Sequence, residues 1–178
     1  MKTRKFIFLI IFFITAQLFA DQLPKNIAKK VTKELVRNFN KEDLQLVSVT
    51  IPVEINNQLG KKIGSANLFK IVDGKNVMGY AYIDKAPSKT DEFDYLILLN
   101  KELIILKTKV LIYREDYGGE IGSRRWLKQF IGKSSKDQLK YKNNIMAISG
   151  ATISALSMTN AVNQFLLDVS ILHKNNIL

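Results

Sequence analysis

Cysteine is absent from the 178-residue chain, which removes disulfides, thiolate metal sites and cysteine nucleophiles together. Histidine is nearly absent too, the single copy being His173 in the C-terminal tail. A Ser-His-Asp triad or a multi-histidine metal centre built from this chain alone is therefore not expected. The densest glycine cluster, Gly118, Gly119 and Gly122, matches neither a dinucleotide-binding G-x-G-x-x-G nor a P-loop. No nucleic-acid reading motif is present, so nucleic acid is not an expected partner. Redox or group-transfer chemistry here would have to come from a bound cofactor.

The length suits one globular domain with its own core. Residues 1–20 are set apart by pattern: Lys2, Arg4 and Lys5 precede the apolar run from Phe6, and Ala20 offers a small residue before Asp21. That is the pattern of a secretory signal. The run is short for a span of roughly 20 residues, and an uncleaved anchor is the other reading. No cysteine follows it, which argues against a lipid anchor. The net charge of +11 becomes +8 without the three signal cations, 24 Lys and Arg remaining against 16 Asp and Glu. Much of this lysine reads as solvated surface, including the patch Lys133, Lys136, Lys140 and Lys142, expected in a loop. His173 is expected at the surface.

Residues 24–39 carry Ile27, Val31, Leu35 and Phe39 at helical spacing, with Pro24 in the first turn. Leu44 to Val53 reads as extended, and Asn56 to Gly64 as a loop. A β-meander follows: Ala66 to Val72, Val77 to Ile83, Phe93 to Leu99 and Leu103 to Tyr113. Asp73-Gly74-Lys75-Asn76 forms the first hairpin turn. In the last strand the even positions Ile104, Leu106, Val110 and Ile112 are expected to be the more buried set. Ser123 is expected to cap a short helix whose apolar face is Trp126, Leu127 and Phe130. The class is α+β, an antiparallel sheet packed with helices. The chain divides into 1–20, a segment 21–64 holding the first helix and extended stretch, and a single domain over 65–178.

The richest stretch is Ala147-Ile148-Ser149-Gly150-Ala151-Thr152-Ile153-Ser154, at the foot of an amphipathic helix. Ile153, Leu156, Val162, Phe165, Leu166 and Val169 are its expected apolar face. Ser149 is a natural N-cap, and Gly150 and Ala151 allow close approach to the backbone. Unpaired N–H groups and the positive end of the helix dipole suit phosphate, and Thr152 would present its hydroxyl beside it. On physical grounds two readings stand: a phosphate seat with an adjacent threonine, or a capped core helix with a small-residue entry.

Ser149-Gly150-Ala151-Thr152, followed by Ile153-Ser154, closely resembles the flavinylation motif of the FMN-binding domain family. That family includes the flavin-carrying subunits of Rnf-type complexes and sodium-pumping NADH:quinone reductases. The likeness extends over roughly residues 65–170, through the order strand, charged glycine loop, short helix and motif. It implies that the domain binds FMN, that a flavin transferase attaches it to Thr152 through a phosphoester, and that Ser149, Gly150, Ala151, Ile153 and Ser154 surround it. It also implies that Glu115, Gly118 and Gly119 line the site and that Trp126 packs near the flavin ring. Surface charge for Glu115, turn formation for the glycines and a core place for Trp126 are the alternative roles. One departure is Met146, three places before Ser149, where many members carry an acidic residue. The expected function is extracytoplasmic electron transfer, as a component rather than a stand-alone enzyme, with a redox partner at or in the membrane. The alternatives are a secreted module holding FMN or another phosphorylated ligand reversibly, and a flavin-free structural subunit of a membrane redox complex.

Overall fold

The computed structural model describes residues 23–178, so the signal pattern of residues 1–20 lies outside the described residues. Its centre is a five-stranded antiparallel sheet in sequential order: β1 (Gln45–Ser48), β2 (Leu68–Asp73), β3 (Asn76–Pro87), β4 (Glu92–Leu99) and β5 (Ile105–Ile112). The expected meander is present, and β1 extends it by pairing with β2. Among the described residues four α-helices accompany the sheet, α1 (Lys25–Phe39), α2 (Val53–Asn56), α3 (Arg124–Leu127) and α4 (Thr152–Lys174), giving the α+β arrangement.

Both faces of the sheet are covered, which is why β4 is apolar at nearly every position. Phe93, Tyr95, Ile97 and Leu99 point to the face shared with α3 and α4. Leu96 and Leu98 point to the opposite face, where Ile27, Val31 and Leu35 of α1 meet them. These three helical residues recur every four positions, so one stripe of α1 is removed from water. Asn40, in the left-handed conformation at φ 53°, ends α1, and its N–H donates to the carbonyl of Val36. Among the described residues no helix is long and apolar enough to cross a membrane.

The other face is dominated by α4, whose residues Ala155, Met158, Val162, Phe165, Leu166, Val169 and Leu172 are buried. The Phe165 ring stacks on Tyr82 of β3 at 3.9 Å between centroids and 7° between planes, and Tyr82 meets Tyr95 edge-on. Asp168, also buried, accepts a hydrogen bond from the N–H of Gly60 at 2.8 Å and from the Gln164 amide at 3.0 Å. Burial raises its carboxyl above the ordinary aspartate range. The helix is thus fixed laterally by ring packing and lengthwise by a polar tie to the turn after α2.

Three local expectations are corrected. The extended reading of Leu44 to Val53 holds only for β1, and Val53–Asn56 is helical. Pro52 causes the switch: it has no N–H to give a ladder, and its fixed φ suits the entry to a helix. In β5 the buried positions are Ile105, Thr108 and Leu111, not the even set. Register shifts opposite Asp94/Tyr95 and Leu98/Leu99 each insert a residue, and each insertion swaps the sides of the side chains that follow. Finally, Ile153 and Leu156 are 48 % and 42 % exposed, and the buried stripe of α4 begins instead with Ser154 and Ala155.

Gly79, beside the irregularity between β2 and β3, lies so close to β4 that an added Cβ would stand 2.2 Å from the Leu99 carbonyl oxygen. Backbone on both sides cannot yield as a flexible side chain does. Gly79→Ala is expected to lower the unfolding free energy by about 1–3 kcal/mol, measured by urea titration of the far-ultraviolet circular dichroism signal.

Candidate functional site

The chain leaves β5 at Tyr113, turns at Gly118, forms a 3-10 turn over Gly119–Gly122 and enters α3. Ser123 caps α3 as expected, its hydroxyl accepting the Trp126 N–H at 3.3 Å. After α3 comes a stretch of mostly irregular backbone that carries the lysine patch and ends at α4. Asn163 of α4 anchors this stretch by accepting the Leu139 N–H at 2.7 Å.

The mouth of α4 differs from the expectation in one respect. The N-cap is Ala151, not Ser149, and no side chain caps the helix. Gly150, at φ +80°, turns the chain sharply into the helix, and this places the serine two residues too early to reach the first turn. The Ala151 carbonyl accepts the Ala155 N–H at 2.9 Å. The N–H groups of Thr152, Ile153 and Ser154 precede that first bond and have no acceptor within the helix. Ser149, Gly150, Thr152 and Ile153 are exposed, whereas Ala151 and Ser154 are buried. The small-residue segment therefore packs through Ala151 and Ser154 and leaves Thr152 exposed to solvent.

Gly118 belongs to the same cluster. It has φ +81°, and a Cβ there would stand 2.8 Å from the Tyr113 hydroxyl, 3.3 Å from the Gly150 carbonyl oxygen and 3.4 Å from the Ala151 Cβ. The Tyr113 hydroxyl lies 3.1 Å from the hydroxyl of Ser154. The end of β5, the glycine loop and the start of α4 thus meet at one point. Tyr113 is the site residue that sequence reasoning passed over. Its signal was a tyrosine ending a strand just before a glycine loop.

The remaining residues sit around this point in different ways. Trp126 is 6 % exposed and packs edge-on against Phe130 at 5.2 Å. Its indole N–H donates to the Met146 carbonyl at 2.7 Å, while the Met146 N–H donates to the Gln129 side-chain oxygen at 2.8 Å. The Met146 backbone is clamped on both sides, and its side chain remains 70 % exposed. Gly119 opens the 3-10 turn with no neighbour near its missing Cβ. Glu115 is engaged elsewhere: hydrogen bonds from the Ser88 hydroxyl and the Thr90 N–H, in the turn between β3 and β4, hold its carboxyl below the ordinary glutamate range. His173 is exposed near the end of α4.

Four large apolar residues, Tyr117, Met146, Ile153 and Leu156, are exposed in the segments that form the mouth. Leu156 lies one helical turn beyond Thr152 on the same face. Apolar surface gathered beside unpaired N–H groups suits a ligand with a phosphate at one end and a flat apolar body at the other. A groove of about 940 Å³ lies along β5 and is not lined by Thr152.

Gly118→Ala is expected to strain the left-handed backbone and push on Tyr113 and Gly150, at a cost of about 1–3 kcal/mol. Hydrogen exchange should quicken in residues 148–155 while β2 and β3 keep their protection. Equal slowing or equal loss throughout would show that Gly118 does not hold the mouth of α4.

Residues 89–167 match the family model of the FMN-binding domain. No curated protein matches the chain at a significant level. The matched stretch runs from the turn before β4 into α4 and contains β5, the Gly118 loop, α3 and the Ser149–Thr152 segment. The cluster of Tyr113, Gly118, Gly150, Ala151 and Ser154 thus falls within the match, which resembles an FMN-binding domain over residues 89–167 and indicates FMN as the cofactor.

Proposed function

We propose that the protein carries FMN covalently on Thr152 and works as an electron-transfer component outside the cytoplasm. The observation that carries this reading is the exposed Thr152 at an uncapped helix mouth inside the stretch that matches the FMN-binding domain. In the attachment the Thr152 oxygen bonds to the FMN phosphorus of a flavin dinucleotide donor as the donor's phosphoanhydride bond breaks, the nucleoside monophosphate leaves and the hydroxyl proton passes to the transferase, so that the protein gains one FMN less the elements of water. A separate flavin transferase supplies the catalysis, so Thr152 is a tether and no residue of this chain needs to act as acid or base. The signal pattern of residues 1–20 supports export, and a cofactor bonded to an exported protein is not lost by diffusion.

FMN supplies the redox chemistry when bound. The chain's own residues place and tune it. The N–H groups of residues 152–154 and the helix dipole favour the phosphate by about 0.3–1 kcal/mol. Leu156, Ile153, Met146 and Tyr117 offer apolar surface to the ring. Tyr113 and Gly118 fix the direction in which Thr152 points, through their contacts with Ser154, Gly150 and Ala151. The redox partner is expected at or in the membrane.

Intact mass decides the covalent claim. Protein produced with an active flavin transferase should exceed the apoprotein by one FMN less water, and Thr152→Val should abolish the increment while folding normally. An unshifted wild-type mass removes the claim. Met146, standing where many family members carry an acidic residue, favours a second reading in which FMN is held reversibly. Yellow colour that leaves with the small molecules on gel filtration after denaturation would support it.

The clamped backbone and exposed side chain of Met146 also make a direct prediction. If the transferase reads this position, Met146→Asp should raise the initial rate of FMN incorporation about tenfold, one favourable charged contact being worth about 1–2 kcal/mol. Time-resolved mass spectrometry measures it, and an unchanged rate would show that the position is not read.

A further inference from the structure

The 940 Å³ groove lies where α1, the outer edge of β5 and α3 converge. Six cations line it: Arg37, Lys107, Lys109, Arg124, Arg125 and Lys128. Its one carboxylate, Glu34, is already paired with Arg37 at 3.4 Å. Among the described residues, none of the other five cations has a carboxylate within 4 Å. A smaller recess shares Glu34, Arg37 and Lys109 with it and adds Lys30 and Lys33. Positive potential is thus concentrated in a concavity with no internal partner.

The floor of the groove is a strand edge. At its start the Ile105 N–H donates to the Lys133 carbonyl and the Gly132 N–H donates to the Ile105 carbonyl. Near its end the Lys30 ammonium donates to the Leu111 carbonyl. Between these points, among the described residues, no backbone hydrogen bond leaves the sheet from 106–110. This is also the stretch between the two bulges, where Lys107, Thr108, Lys109 and Val110 pair regularly with Leu98, Ile97, Leu96 and Tyr95. Lys107 and Lys109 therefore share the face of α1, and Arg124, Arg125 and Lys128 stand on the side of α3. A strand laid along β5 would present alternate side chains to each set.

We propose that this groove docks an extended acidic segment of a partner protein, added to the sheet beside β5. Backbone pairing with 106–110 would supply register, and carboxylates on both sides would meet the two sets of cations. A recessed strand edge favours a peptide over a bilayer, because a flat surface meets projecting cations and leaves backbone groups unpaired.

The position connects the groove to the mouth of α4. Gly122 lines the groove and closes the 3-10 turn whose N-cap, Gly118, lies against Gly150 and Ala151. α3 turns Arg124, Arg125 and Lys128 to the groove and Trp126 to the Met146 carbonyl. A docked segment would lie close to the flavin. That it belongs to a redox partner rests on the proposed function; the binding itself does not.

The test uses fluorescein-labelled decapeptides of alternating Glu and Val, their Gln-Val counterpart and a Glu-Val version N-methylated at alternate residues, with binding read by fluorescence anisotropy. The Glu-Val peptide should bind, weaken with added salt and bind about tenfold or more weakly to Lys107→Gln/Lys109→Gln and to Arg124→Gln/Arg125→Gln. The Gln-Val and N-methylated peptides should bind far less. The two double variants alter different elements, and thermal melts establish that each is folded. Thr152→Val should bind the peptide as wild type does, which separates this proposal from the flavin assignment. Equal binding of the Glu-Val and Gln-Val peptides, full affinity in both double variants, or full affinity of the N-methylated peptide would overturn it. So would co-sedimentation with phosphatidylglycerol vesicles in the absence of peptide binding, which would assign the cations to a membrane surface.

Discussion

The fixed position of α4 is the constraint on which the other features depend. Its buried stripe is pressed onto the sheet, with Phe165 stacked on Tyr82, and Asp168 ties it to the Gly60 backbone. A helix held in this way cannot slide or rotate without breaking ring contacts and stripping a buried carboxylate of its hydrogen bonds. Its first turn is therefore a fixed point in space, although the residues before it form no regular structure. The Gly118 loop and the Met146 clamp need only meet that point. A tether at Thr152 inherits the rigidity of a 23-residue helix rather than the mobility of a loop.

Most of the fold was legible because its signals were periodic. The stripe of α1, the Asp73–Asn76 hairpin and the Ser123 cap all follow from local rules, and all are present. The failures occur where one residue changes the count. Bulges in β5 defeated an alternation argument that assumed an unbroken pleat. Pro52 ended an extended reading that hydrophobicity alone would have continued. Gly150 displaced the helix start past the serine that looked like its cap. In each case the backbone responds to a single residue that a hydrophobic pattern does not weigh.

The candidate site was readable in its letters but not in its arrangement. Thr152 and its neighbours were found as a motif, and Gly118 lies against them. Trp126, expected near a ring, donates its indole N–H to the Met146 carbonyl in the segment leading to the motif. Glu115, three residues from Gly118, is committed to Thr90. Proximity along the chain does not determine which way a side chain turns once a strand has ended. Tyr113 escaped notice because its role is a contact across 41 positions, which no local pattern encodes.

The lysines of β5 have an effect on identical molecules as well. An open strand edge invites a second copy to continue the sheet, the usual first step of edge-to-edge aggregation. Here two such edges would bring Lys107 and Lys109 of each molecule face to face, with arginines behind them. Mutual repulsion disfavours that pairing, so charge guards the stretch of edge that no backbone partner covers.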